Sequence, residues 1–94
     1  MGHRRVEADH KILGEIIRIE RNQRGLSQEN LAALAGLSRT CLSEIERGVT
    51  SLSVSSLLAV AAGLGISASE ILSEYDRRTT LPRKGGPSSP GAAS

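Results

Sequence analysis

Arg39 and Arg47 bracket a short polar stretch, RTCLSEIER, in which Arg39, Thr40, Ser43, Glu44 and Arg47 fall on one side of a helix and Leu42 and Ile45 on the other. Such a face suits non-covalent recognition of polar groups and not bond-making chemistry. The serines at 51, 53, 55 and 56 have no recurring His or Asp partner to make a nucleophile of them. Glu15, Glu20 and Glu29 read as surface charges, with no paired carboxylates for acid–base work. Cys41, His3 and His10 offer too few nitrogen and sulfur ligands, in poor spacing, for a zinc site. Cys41 reads as a small, partly buried filler with no neighbouring cation to activate its thiol. No catalytic residue, metal or cofactor is therefore expected, and an enzyme is the weakest reading.

The elements that must position this polar face lie immediately upstream. In residues 28–47, QENLAALAGLSRTCLSEIER, Leu31 and Ala35 point inward from a first helix, and Leu42 and Ile45 from a second. Ala32 sits where the two helices cross, and a larger side chain there would push them apart. Gly36 falls at the corner, where the chain needs positive φ, and Leu37 plugs the angle. This is the pattern of a helix-turn-helix that lays its second helix in a DNA major groove. Around it, Asp9 is expected to cap a helix to about Arg24 with Ile12, Leu13, Ile16 and Ile17 inside. Ser27 caps the second helix and Ser38 the third, which stops at Gly48. Ser53 caps a fourth that closes near Gly63–Gly65. Ser67-Ala68-Ser69-Glu70 has capping-box spacing and opens a fifth, to about Arg77, that buries Ile71, Leu72 and Tyr75. No β-alternation and no internal repeat appear. The expected fold is all-α: five short helices over residues 9–78, a flexible arm over 1–8, and a disordered basic tail over 79–94 with nine Gly, Pro or Ser in sixteen residues.

Ninety-four residues suffice for one small domain. The net charge of +2 overstates the basic character of that domain. Arg77, Arg78, Arg83 and Lys84 stand in the last eighteen residues without an acid, so residues 1–76 hold eight basic and ten acidic side chains, a net of −2. Attraction to a polyanion must then come from local placement at Arg39, Arg47 and the helix N-termini. No apolar stretch approaches the roughly twenty residues that span a bilayer, no signal-peptide core is visible, and one cysteine permits no internal disulfide. A cytoplasmic protein without a membrane or small-molecule partner is expected. Tyr75 is the single aromatic residue, so the core must be aliphatic.

From Leu13 to Leu72 the chain resembles the phage Cro/repressor-type (xenobiotic-response-element) family of helix-turn-helix domains, with a lambda-repressor-like fold. The resemblance is carried by Arg21-x₃-Gly25-Leu26-Ser27-Gln28, by Leu31-Ala32-x-x-Ala35-Gly36-Leu37-Ser38, and by Ile45-Glu46-Arg47-Gly48. It implies that Arg39 and Thr40, with Ser43 and Glu44 beyond them, face base edges. Ser27, Gln28, Ser38 and Arg47 would face phosphates, and Arg21 and Glu46 would form a buried ion pair orienting the third helix. Arg39 can bond guanine O6 and N7 together, Thr40 can meet a thymine methyl, and Glu44 can accept from cytosine N4. The sequence departs from the pattern at Leu52, where many relatives carry Pro, and in having no Lys or Arg at 49–52. Few cations predict modest affinity for one copy, so a homodimer with Ile71, Leu72 and Tyr75 at its seam is expected to double the contacts. The function implied is a regulator of transcription on a palindromic double-stranded operator, in the manner of phage repressors or restriction–modification controllers. The alternative is an antitoxin or adaptor whose domain mainly holds a partner protein.

Overall fold

The computed structural model describes the backbone of residues 2–79 and the side-chain surroundings of residues 8–79. Five helices follow one another: α1 (Gly2–Gln23), α2 (Gln28–Ala35), α3 (Arg39–Arg47), α4 (Val54–Leu64) and α5 (Ala68–Thr79). Three of them start at a serine in extended backbone. Ser27, Ser38 and Ser53 each accept the amide three residues on, from Asn30 at 3.0 Å, Cys41 at 3.0 Å and Ser56 at 3.1 Å. Each hydroxyl thus satisfies one of the amides that a helix start leaves without a partner. At Ser67 the box closes in both directions: Glu70 N–H donates to the serine at 3.3 Å, and the Glu70 carboxylate accepts from Ser67 N–H at 3.5 Å. The corner between α2 and α3 is turned by Gly36 at φ +71°, a conformation that a Cβ would strain.

The beginning of the chain differs from expectation. The helix starts at Gly2, so residues 2–8, expected as a flexible arm, have helical backbone. Asp9 is therefore inside α1 and caps nothing. Its carboxylate instead accepts the Tyr75 hydroxyl from α5, a long-range bond that local sequence signals do not reveal. The fifth helix continues to Thr79, and the expected tail beyond it lies outside the described residues.

All five helices feed one aliphatic core. Ile16 and Ile17 come from α1, Leu31 and Ala32 from α2, and Leu42 and Ile45 from α3. Leu57, Val60, Ala61 and Leu64 come from α4, and Ile71 from α5. α2 lies against α4 and α3, while α1 crosses α3 and α5. Leu72 departs from its expected burial. It stays 42 % exposed although Ile71 beside it is at 1 %, because successive helical residues turn through about 100°. Leu34, Val54 and Leu58 are also exposed. No single helix among the described residues is long and apolar enough to cross a membrane.

Burial on this scale makes the core sensitive to single deletions. Leu42→Ala, at a fully buried position, is expected to lower unfolding free energy by about 2–5 kcal/mol in urea melts followed by circular dichroism. Leu34→Ala, on the surface, should change it by less than about 0.5 kcal/mol.

Candidate nucleic-acid interface

α3 divides along its length. Leu42, Ile45 and Glu46 face inward, Arg39, Thr40 and Arg47 are exposed, and Ser43 and Glu44 are half-buried along the same outer side. The exposed N-terminal turn therefore presents Arg39 and Thr40, and the Ser38 hydroxyl that caps it still has its own proton to give. Among the described arginine side chains, Arg18, Arg21, Arg24, Arg77 and Arg78 are all ion-paired with a glutamate. Arg39 and Arg47 are not, even though Glu44 stands on the same helix. Among the described residues their charge has no partner.

The inward end of α3 is held by a buried carboxylate. Glu46, whose side chain is 2 % exposed, receives Arg21 Nε at 2.7 Å and Arg21 Nη2 at 3.0 Å in a fork, and Gln28 Nε2 at 3.0 Å. Arg21 Nη1 also donates to the Leu26 carbonyl at 2.8 Å. One side chain from α1, one from α2 and one from α3 thus meet at a single point. The hydrogen bond to Glu46 holds the Arg21 guanidinium above its ordinary pKa, against the opposing effect of burial. A raised value in the folded state means that this contribution is intact at lower pH and is lost only as pH rises through the raised pKa. The arginine therefore stays charged across the whole neutral range.

Gln28, expected at a phosphate, also has a partner inside the protein. Its amide nitrogen gives one of its two protons to Glu46, so part of the side chain's donor capacity is spent inside the protein. What α2 offers outward is its N-terminus. Ser27 takes the Asn30 amide, and the backbone N–H groups of Gln28 and Glu29 have no acceptor among the described residues. Such amides are suited to an anion.

Of the residues expected at a dimer seam, Ile71 is core, at 1 % exposure, and presents nothing to a second copy. Tyr75 is half-buried and tied to Asp9, which leaves Leu72 as the exposed member. Sequence reasoning missed the Gln28–Glu46 bond and the bond from Arg24 Nε to the Leu64 carbonyl at 3.0 Å. It also missed the close approach of α1 to the end of α3 at Gly14 and Gly48. An unexplained glycine inside a strongly helical pattern is the signal that marked Gly14.

A capped, Gly-cornered pair of helices with a free polar face on the second defines a helix-turn-helix domain. The Helix-turn-helix family profile matches residues 17–71, and the chain belongs to that family. It is similar to control protein C.MunI of Mycoplasma sp, at 38 % identity over 60 residues, which cover 64 % of this chain and 81 % of that protein. Among solved structures it is similar to the restriction-modification controller protein C.AhdI from Aeromonas hydrophila. That match has a TM-score of 0.67 and 39 % identity, and covers 68 % of this chain and 97 % of the other. It is also similar to the clp gene regulator ClgR from C. glutamicum, with a TM-score of 0.72 and 32 % identity over 78 % of this chain and 95 % of that one.

The junction at Glu46 sets a stability test. Arg21→Ala leaves a buried carboxylate with one neutral donor and should cost about 3–5 kcal/mol in urea unfolding. Replacing both partners by apolar residues, Arg21→Met with Glu46→Leu, should cost clearly less than Arg21→Ala alone, since no charge is then stranded.

Proposed function

We propose that this chain is a sequence-specific, DNA-binding transcriptional regulator of the restriction–modification controller kind, with α3 as the helix that enters the major groove. The observation that carries this reading is the pair of unpartnered arginines, Arg39 and Arg47, on the outer side of α3 in a molecule whose other described arginines are all neutralised. Arg39 and Thr40 reach deepest, with Ser43 and Glu44 behind them, and together they select the bases. Ser27, Ser38 and Arg47 meet the phosphates. Gln28 contributes through its backbone amide and through its hold on Glu46. The family is one of DNA-binding regulators and not of enzymes, and the similarity to C.MunI and C.AhdI supports the controller assignment.

The protein acts as a symmetric homodimer on a palindromic operator, in the cytoplasm. Each copy occupies one half-site, with centres roughly 34 Å apart. Leu72 stands at the seam with Tyr75 at its margin. Ile71, now a core residue, is not part of it. A second reading, an adaptor that binds a protein, is favoured by the exposed apolar side chains of Leu34, Val54 and Leu58.

Selection of bound sites from random DNA supplies the operator, and gel shift on that site separates the two readings. Arg39→Ala should weaken binding about tenfold or more, the worth of one bidentate base contact, with an unchanged helical spectrum. Unaltered retention would leave only the adaptor. Leu72→Asp should sediment as a monomer and bind the full palindrome much more weakly; a variant that remains dimeric would place the seam elsewhere.

A further inference from the structure

α1 and the end of α3 touch backbone to backbone. A Cβ at Gly14 would stand 2.3 Å from the Ile45 carbonyl oxygen and 2.7 Å from that of Glu46. A Cβ at Gly48, which follows α3 at φ +71°, would stand 2.6 Å from Lys11 Cα and 2.9 Å from Lys11 N. In both cases the obstructing atoms include main chain, which no rotamer change can move aside. Lys11 and Gly14 are neighbours on one side of α1, and Arg21, two turns beyond Gly14, lies on that side as well. The C-terminal turn of α3 is therefore seated at three places: Gly48 over Lys11, two carbonyls over Gly14, and Glu46 on Arg21.

We propose that Gly14 and Gly48 are positioning residues for base selection, setting how far α3 stands off α1 and thereby where Arg39 and Thr40 sit in the groove. This rests on α3 being the helix that reads bases. A methyl at Gly14 must open the contact by about 1 Å to reach ordinary separation. α3 is only nine residues long, about 13 Å at the helical rise, and too short to absorb such a shift before its N-terminus. A recognition geometry tolerates about 0.5 Å. Contacts to phosphate are less demanding, because they are made by flexible side chains and by charge.

The test is the ratio of dissociation constants for the selected operator and a scrambled duplex, measured by fluorescence anisotropy on one preparation of the full chain. Loss of folded protein affects both measurements alike and cancels, so the ratio responds to position and not to stability. Gly14→Ala and Gly48→Asn should each lower it about tenfold or more. Asn accepts the left-handed conformation better than other side chains. Gly25→Asn is the matched control, since Gly25 has φ +68° and a Cβ there meets nothing within 4 Å; it should leave the ratio unchanged. Either test variant that folds, judged by circular dichroism, and keeps the wild-type ratio overturns the proposal. Failure of both to fold, with Gly25→Asn folded, also overturns it, by showing that the contact serves folding alone. Arg39→Ala distinguishes the two levels. If it too keeps the ratio, the reading of α3 is wrong; if it loses the ratio while Gly14→Ala keeps it, only the positioning role fails.

Discussion

A single carboxylate that cannot stay buried alone dictates much of this structure. Removing an ionised group from water costs several kcal/mol unless charge and hydrogen bonds replace its hydration. Glu46 is at 6 % residue exposure, and the compensation comes from Arg21 on α1 and Gln28 on α2. Because hydrogen bonds have narrow distance and angle requirements, supplying them fixes three helices relative to one another. Apolar side chains of the same volume would bury area equally well but would tolerate sliding. The ion pair is therefore better understood as a device for orientation than as a large source of stability.

Orientation has particular value in a core of this kind. The buried apolar side chains are Ile, Leu, Val and Ala, and the one aromatic residue, Tyr75, is at the margin with its hydroxyl on Asp9. Aliphatic contacts are non-directional, so a small domain packed only with them can lose uniqueness before it loses stability. Directional polar ties between helices address that weakness. Arg21 and Gln28 on Glu46, Tyr75 on Asp9, and Arg24 on the Leu64 carbonyl each join separate elements. The serine caps and glycine stops decide where helices begin and end, and these long ties decide how they stand together.

That division explains what could be read from the chain alone. The starts at Ser27, Ser38, Ser53 and Ser67, the corner at Gly36 and the inward Leu31, Leu42 and Ile45 all follow from local chemistry and helical period, and the structure has them there. Asp9 misled because a cap and a mid-helix tertiary acceptor have the same local composition; only the position of Tyr75 in space separates them. Ile71 and Leu72 are equally apolar neighbours, and nothing short of the packed fold says which turns inward. Gln28 carried the expectation of a phosphate contact from the family resemblance, and nothing in the local sequence signals that its side chain also has an acceptor on α3. The outward placement of Arg39, Thr40 and Arg47 was legible for the opposite reason. They are exposed and have no partner among the described residues, so no described tertiary contact overrides the local pattern.

The distribution of charge then bears on how such a face discriminates. Non-specific affinity for DNA is largely the release of counterions by lysines and arginines at phosphates. Residues 1–76 carry a net charge of −2, and the arginines of α1 and α5 with described side chains have their charge offset by glutamates. A surface of that kind attracts DNA in general only weakly. On the proposed reading, affinity for a particular site comes disproportionately from base edges and from the contacts doubled in the proposed homodimer, both of which fail when geometry is wrong. Weak background attraction thus raises the ratio of right to wrong binding, and it makes that ratio depend on a rigid seat for α3. If α3 is the recognition helix, as proposed, a protein with abundant free cations could hold it loosely and still bind, whereas one with two arginines unpartnered among the described residues could not. The tight backbone contact at Gly14 and the buried junction at Glu46 are what a domain so sparing in charge requires.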